Sequence, residues 1–277
     1  MYIIPNLGGG IGNRLFEYAA AAGLAERWGW KVAFAPTYTH ANSHGRPTTI
    51  FDLFPSVPIE DIGGTRVQEF LEKEGDLFTF VPFAVKPPAD ISAVVLKGYF
   101  QTPLYFPKVG ITPDWVSALG PEGMSIVEKR ANLTDPAVRA KTWFIHFRQG
   151  DYRVLPHHQE DLTRYYMKCL YAVPNGSKLH CFSDEPDRCK EFLTAIVEGR
   201  NLEITWSKSV ADIEALYEMS LCQAGAIVAN STFSWWGAYF ARASNDKFQA
   251  FYPAAWGQGL PPPLNVVPSW GKKVTLD

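Results

Sequence analysis

The sequence has no apolar run near the roughly 20 residues needed to cross a bilayer. Its start, Met1-Tyr2-Ile3-Ile4-Pro5-Asn6, carries neither the basic segment nor the cleavage site of a signal peptide. Cysteine is scarce: Cys169, Cys181, Cys189 and Cys222 are the 4 present, with no CxxC spacing. They read as reduced core thiols, which excludes a disulfide framework. Charge is modest too, at 19% of residues with a net −2. No global basic field exists, so neither nucleic acid nor an anionic membrane is the expected partner. Walker A, HExxH and GxSxG sequences are all missing. His157-His158 stand without cysteine ligands nearby, so zinc is not expected. No Asp-x-Asp triplet is present to hold a divalent ion on a nucleotide diphosphate. Without a secretory route, the sequons at Asn132, Asn175 and Asn230 read as chance matches.

What remains is a globular chain with 47% hydrophobic residues, long enough at 277 residues for two domains. It opens on a predicted strand, Tyr2–Asn6. A glycine-rich loop, Leu7-Gly8-Gly9-Gly10-Ile11-Gly12, leads into a predicted helix from Asn13 to Trp28. Leu15, Tyr18, Ala19, Ala22 and Ala25 fall on one face of that helix. Gly29 suits its end, and Lys31–Ala35 reads as the next strand. Residues 37–92 carry much Pro, Gly and Thr and give no clear pattern. Val94–Phe100 is a predicted strand and Pro121–Asn132 a predicted helix. Asp135-Pro136 is a natural boundary, placing the expected domains at 1–138 and 139–277.

The second half is regular. Apolar blocks at 143–147, 179–182, 202–206, 226–229 and 248–252 read as strands, with helical patterns between them. Such alternation predicts an α/β fold with a parallel, doubly wound sheet. Ligands of these sheets bind beyond the carboxyl ends of strands. Three of the loops so selected hold polar candidates. One reads His146-Phe147-Arg148-Gln149-Gly150-Asp151-Tyr152. A guanidinium there offers a planar fork to two phosphate oxygens, although an Arg148–Asp151 ion pair steadying the loop is the plainer alternative. A second holds Ser183-Asp184-Glu185-Pro186, either a helix cap or a carboxylate for a base or ribose. The third is Asn230-Ser231-Thr232-Phe233-Ser234-Trp235-Trp236-Gly237, between a strand and a helix. A helix start offers unpaired N–H groups and partial positive charge to a phosphate. Helical spacing points at least one of the two tryptophans into the core, so they are expected to brace this turn.

Taken together, these motifs resemble glycosyltransferase family 11, the α-1,2-fucosyltransferases that use GDP-fucose. Gly9–Ala19 is similar to that family's opening motif and Leu96–Gln101 to its central strand. His146–Tyr152 resembles its His-x-Arg-Arg-x-Asp-Tyr signature. Phe182-Ser183-Asp184, Met219–Cys222 and Asn230–Gly237 also match in order and spacing. The resemblance implies the GT-B type: two Rossmann-like domains facing across a cleft, with the donor held mainly by the C-terminal one and the extreme C-terminus returning to the first. It implies inverting transfer from GDP-β-L-fucose to a galactose-terminated glycan, with no metal cofactor. Arg148 would then grip the pyrophosphate. His146, Ser231, Thr232, Phe233 and Ser234 would line the pocket, Asp184 would sit near the guanosine, and Gly9, Gly10 and Asn13 would meet the donor from the other domain.

The chain departs from the family at three places. Arg14 and Glu17 stand where Gln is usual, and Gln149 replaces a second Arg. Arg14 is expected to restore the lost cation. Asp151 is the first candidate to accept the acceptor's proton, unless it only orients Arg148; His146 and Glu17 are weaker candidates. Two alternatives keep the fold: another GDP-sugar or linkage, and a catalytically silent nucleotide-sugar or glycan binder. Eukaryotic relatives carry an N-terminal membrane anchor. The expected form here is a soluble cytoplasmic enzyme of bacterial or viral type, or one separated from its anchor. The acceptor is expected against residues 37–92.

Overall fold

The computed structural model describes residues 1–40, 50–83 and 86–277. Part of the stretch assigned to the acceptor, 41–49 and 84–85, lies outside them. The chain divides into two compact units, Met1–Ala118 with Pro263–Pro268, and Leu119–Pro262 with Ser269–Asp277. Each holds one sheet in which every strand pair is parallel. The chain is thus α/β, with two Rossmann-like units. Residues 119–138, expected in the first domain, go with the second unit. The division falls beside a break in one helix, where Gly120 takes φ 69° and ψ 162° and Pro121 follows. Proline cannot donate to the turn before it, so the helix restarts there.

In the first unit, β1 (Tyr2–Pro5), β2 (Lys31–Val32), β3 (Val67–Leu71) and β4 (Ala93–Lys97) lie in the order β2-β1-β4-β3. Helix α1 (Ile11–Trp28) joins β1 to β2 and ends on Gly29 in the left-handed region. Its buried face includes Leu15, Phe16, Ala19 and Ala20. The expected strand at 31–35 stops at Val32; Phe34 instead forms a lone bridge with Ile59. A short α2 (Ile50–Leu53) and the edge strand β3 occupy the stretch that gave no sequence pattern. From near the C-terminus, Asn265 donates its N–H to the Phe78 carbonyl at 3.1 Å and accepts from the Phe80 N–H at 2.9 Å.

The broken helix, α3 (Trp115–Arg130), leads to α4 (Pro136–Arg139) and the second sheet. Its strands are β5 (Thr142–Phe147), β6 (Lys178–Ser183), β7 (Glu203–Trp206), β8 (Gly225–Ile227), β9 (Gln249–Pro253) and β10 (Gly271–Val274). Between them run α5 (Thr163–Ala172), α6 (Pro186–Val197), α7 (Asp212–Ser220) and α8 (Thr232–Arg242). Side chains alternate across β5. Trp143, Ile145 and Phe147 pack with Tyr165, Leu170 and Leu193 of α5 and α6. Burying each such side chain stabilises the fold by about 1.5–3 kcal/mol. The opposite face carries Phe144 and His146, the latter toward Phe233 of α8.

Strand order is β10-β9-β8-β5-β6-β7. The chain therefore winds outward through β6 and β7, returns, and winds the other way from β8. β5 and β8 are neighbours, with Trp143 opposite Gly225 and Ile145 opposite Ile227. Their carboxyl ends form the topological switch point, where open α/β sheets leave a crevice for ligands.

Candidate functional site

Arg148 leaves the carboxyl end of β5 directly into that crevice. Its two terminal nitrogens are each held by a carboxylate: Nη1 donates to Asp184 Oδ2 and Nη2 to Asp151 Oδ1. Its side chain retains 22% exposure. Asp151 lies three residues on, within a short 3-10 turn, Gly150–Arg153. The ion pair weighed from sequence is therefore present, and it does not bury the guanidinium.

Asp184 also accepts from the Gln149 N–H at 2.9 Å. It does not cap α6. The helix has Glu185 at its N-cap and no side-chain capping bond; Ser183 Oγ accepts from the Glu185 N–H at 3.0 Å in the turn before it. Pro186 opens the helix, as its missing donor allows.

His146 is 6% exposed, with its ring 5.8 Å from that of Phe233. Its carbonyl accepts from Tyr166 Oη at 2.8 Å. Among the described residues its Nδ1 has no hydrogen-bond partner. Burial, then the charge of Arg148, push its pKa down to about 3, with Asp184 opposing. The imidazole is neutral at physiological pH and serves as a dipole, not a cation.

The start of α8 has Ser231 at its cap and no side-chain capping bond. Tyr152 joins this turn to Arg148: its hydroxyl hydrogen-bonds with Ser231 and with Arg148. Nothing in the sequence patterns singled out Tyr152 for a role, although it lies within the quoted signature. Ser234, expected to line the pocket, is fully buried in the turn. Its buried Oγ accepts from the Ala229 N–H at 3.2 Å and donates to the Ser231 carbonyl at 3.3 Å. Its hydroxyl shapes the turn. Trp235 and Trp236 are both fully buried and meet edge to face at 5.0 Å. Asn230 ties the turn to the Trp256 carbonyl at 3.1 Å.

Beside Arg148 opens a cavity of about 560 Å³, lined among others by Gln149, Tyr152, His158, Tyr166, Arg188 and Phe192. That volume is within the usual range for a small-molecule site. His146, Arg148, Asp151, Asp184, Ser231 and Phe233 are thus gathered at one sheet edge. Among the described residues, no three His, Cys, Asp or Glu side chains group as metal ligands, and no helix is long and apolar enough to cross a membrane.

The remaining candidates belong to the first unit. Gly9 has φ 64°, and a Cβ there would lie 2.7 Å from Asn13 Nδ2. Gly10 caps α1 without a side chain, and Asn13 Oδ1 accepts from Gln101 Nε2 at 3.1 Å. Arg14, expected to restore the lost cation, lies in this unit. It is 1% exposed, and donates to the Gly9 carbonyl at 3.0 Å and the His40 carbonyl at 2.7 Å. The guanidinium fastens two loops of its own unit. Glu17 is 2% exposed and accepts from the Gly8 N–H at 2.9 Å. Burial holds its pKa well above the carboxylate range, against the lowering effects of the Gly8 amide and Arg14.

No curated protein matches this chain. Among solved structures, NodZ fucosyltransferase from Bradyrhizobium is similar at 11% identity and TM-score 0.47, over 85% of this chain and 92% of that one. E. coli ADP-heptose LPS heptosyltransferase II gives 12% and 0.49, over 99% and 90%. POFUT1 gives 11% and 0.45, over 91% and 97%. These likenesses are remote. The sequence match is more specific: the glycosyl transferase family 11 model covers residues 133–249, the stretch that carries Arg148, Asp184 and the start of α8. Over that stretch of its second unit, the chain is similar to glycosyl transferase family 11.

Proposed function

We propose that the protein transfers L-fucose from GDP-β-L-fucose to a glycan hydroxyl, the 2-OH of a terminal galactoside, with inversion and without a metal ion. The observation that carries this is the placing of Arg148 and the uncapped start of α8 at one switch-point crevice, inside the family 11 stretch. Both are suited to an anionic leaving group. In the reaction the bond from the sugar's anomeric carbon to the GDP oxygen breaks, and the acceptor oxygen bonds to the opposite face. The acceptor's proton must leave. Charge grows on the departing diphosphate, and fixed donors aimed at it lower the barrier most. Arg148 supplies the fork, and the turn Ser231-Thr232-Phe233 supplies the helix-start dipole. Asp151 orients Arg148. His146 contributes a neutral wall.

The test is turnover of a panel of GDP-, UDP- and ADP-sugars with a galactoside acceptor, with and without EDTA, followed by linkage analysis. Turnover of GDP-fucose alone, insensitive to EDTA and giving an α-1,2 product, is expected. A different preferred donor or linkage would correct the substrate. Loss of activity in EDTA would overturn the metal-free reaction. Nucleotide binding without turnover would make the protein a binder.

A further inference from the structure

We propose that Asp184 is a positioning residue that holds Arg148 for the diphosphate, and not a reader of the nucleotide base. The inference rests on the donor reading above and assigns a role within the same site.

Strand register sets up the pair. Phe147 lies opposite Ser183 in the parallel β5–β6 ladder, so Arg148 and Asp184 leave the sheet edge side by side. A base-reading carboxylate would present both oxygens outward to two adjacent N–H groups. Here each oxygen turns back onto the β5 loop. Oδ2 takes Nη1 of Arg148, and Oδ1 takes the Gln149 N–H at 2.9 Å. The approach is close enough that a side chain at Gly150 would displace the carboxylate: a Cβ there would stand 2.5 Å from Oδ2. Asp184 therefore fixes both the guanidinium and the backbone that carries it. Asp151 occupies the other guanidinium nitrogen, Nη2. A diphosphate oxygen would share or displace that contact, with Nη1 still anchored.

Two variants separate positioning from base recognition. Asp184→Asn keeps an oxygen for the Gln149 amide but loses the charge that holds Arg148. Gly150→Ala leaves Asp184 intact and pushes it off the loop. Affinities for GDP and ADP are measured by calorimetry or competition, with circular dichroism as the fold check. Positioning predicts that Asp184→Asn weakens GDP binding roughly 10- to 100-fold, the worth of one charge-assisted hydrogen bond. The GDP-to-ADP affinity ratio should stay at the wild-type value, and Gly150→Ala should change both readouts in the same sense. Should Asp184→Asn misfold, Gly150→Ala carries the comparison. A ratio collapsing toward one would make Asp184 the base reader and overturn the proposal. Unchanged GDP affinity in both variants would overturn it too. A wild-type protein that binds no GDP is a different result, because it removes the donor reading itself.

Discussion

The Tyr152 ring lies over the guanidinium of Arg148, with the centroid 5.0 Å from Cζ. Its other contact is a parallel stack on His158, at 4.2 Å and 13°. A cation over an aromatic face gains about 0.5–2 kcal/mol, more as water is excluded. The fork of Arg148 is thus bound edge-on by carboxylates and face-on by a phenol ring. The same phenol's hydroxyl reaches the α8 turn.

Arg148→Ala should lower turnover by about 10²–10³, the usual loss on removing one preorganised donor from a transition state. The protein should stay folded, because Asp151 and Asp184 retain 30% and 24% side-chain exposure and can be hydrated. Arg148→Lys should recover little, since an ammonium cannot span the fork. Steady-state kinetics and circular dichroism check this. Near-normal turnover in the alanine variant would remove Arg148 from the mechanism.

Asp151→Asn distinguishes an orienting carboxylate from a base. If Asp151 orients Arg148, turnover falls while the acidic limb of the pH–rate profile keeps its position. Loss of that limb would make Asp151 the proton acceptor. His146 supplies no limb between pH 5 and 8, because its pKa lies at about 3.

Glu17→Gln should stabilise the protein at alkaline pH and much less below pH 4. The sign follows from linkage. The folded-state pKa is raised, so the unfolded chain releases this proton first as pH rises. Stability tied to the protonated form is then lost up to the folded pKa and levels off above it. Glutamine is always neutral and its oxygen can still accept from Gly8. Melting temperatures of both proteins across pH 4–9 should diverge upward from the ordinary carboxylate range. Parallel curves would show that Glu17 is not held protonated.

Ser234→Ala should cost roughly 1–3 kcal/mol of stability, because it strands the Ala229 N–H in a buried turn. Denaturant titration measures it. GDP affinity should change only as far as the turn shifts. A variant of full stability that had lost GDP binding would return Ser234 to the pocket.

The second sheet was legible because buried parallel strands are nearly continuous apolar runs. Trp143–Phe147 and Leu179–Phe182 announce themselves in that way. The edge strands β3 and β10 do not: β3 is Val-Gln-Glu-Phe-Leu with no residue fully buried, and β10 is Gly-Lys-Lys-Val. Arg148 and the α8 turn were also legible, since their chemistry is local to single loops. The burial of Arg14 was not legible, because one of its partners, the His40 carbonyl, lies 26 residues away. Ser234 shows the same limit at short range. Three hydroxyls share that turn, and backbone geometry decides which one folds inward. Asp184 needed the β5–β6 register, which no local pattern contains.

The pairing of Trp143 with Gly225 across β5 and β8 also governs when the site can exist. Arg148 is synthesised long before Ser231, and β6 and β7, which lie between β5 and β8 in sequence, sit to one side of that pair in the sheet. Such a pairing closes a long loop and forms late. Nucleotide affinity would then appear abruptly during refolding, as a report on completion of the sheet. A chain halted before β8 would carry the cation without the helix start that completes its ligand.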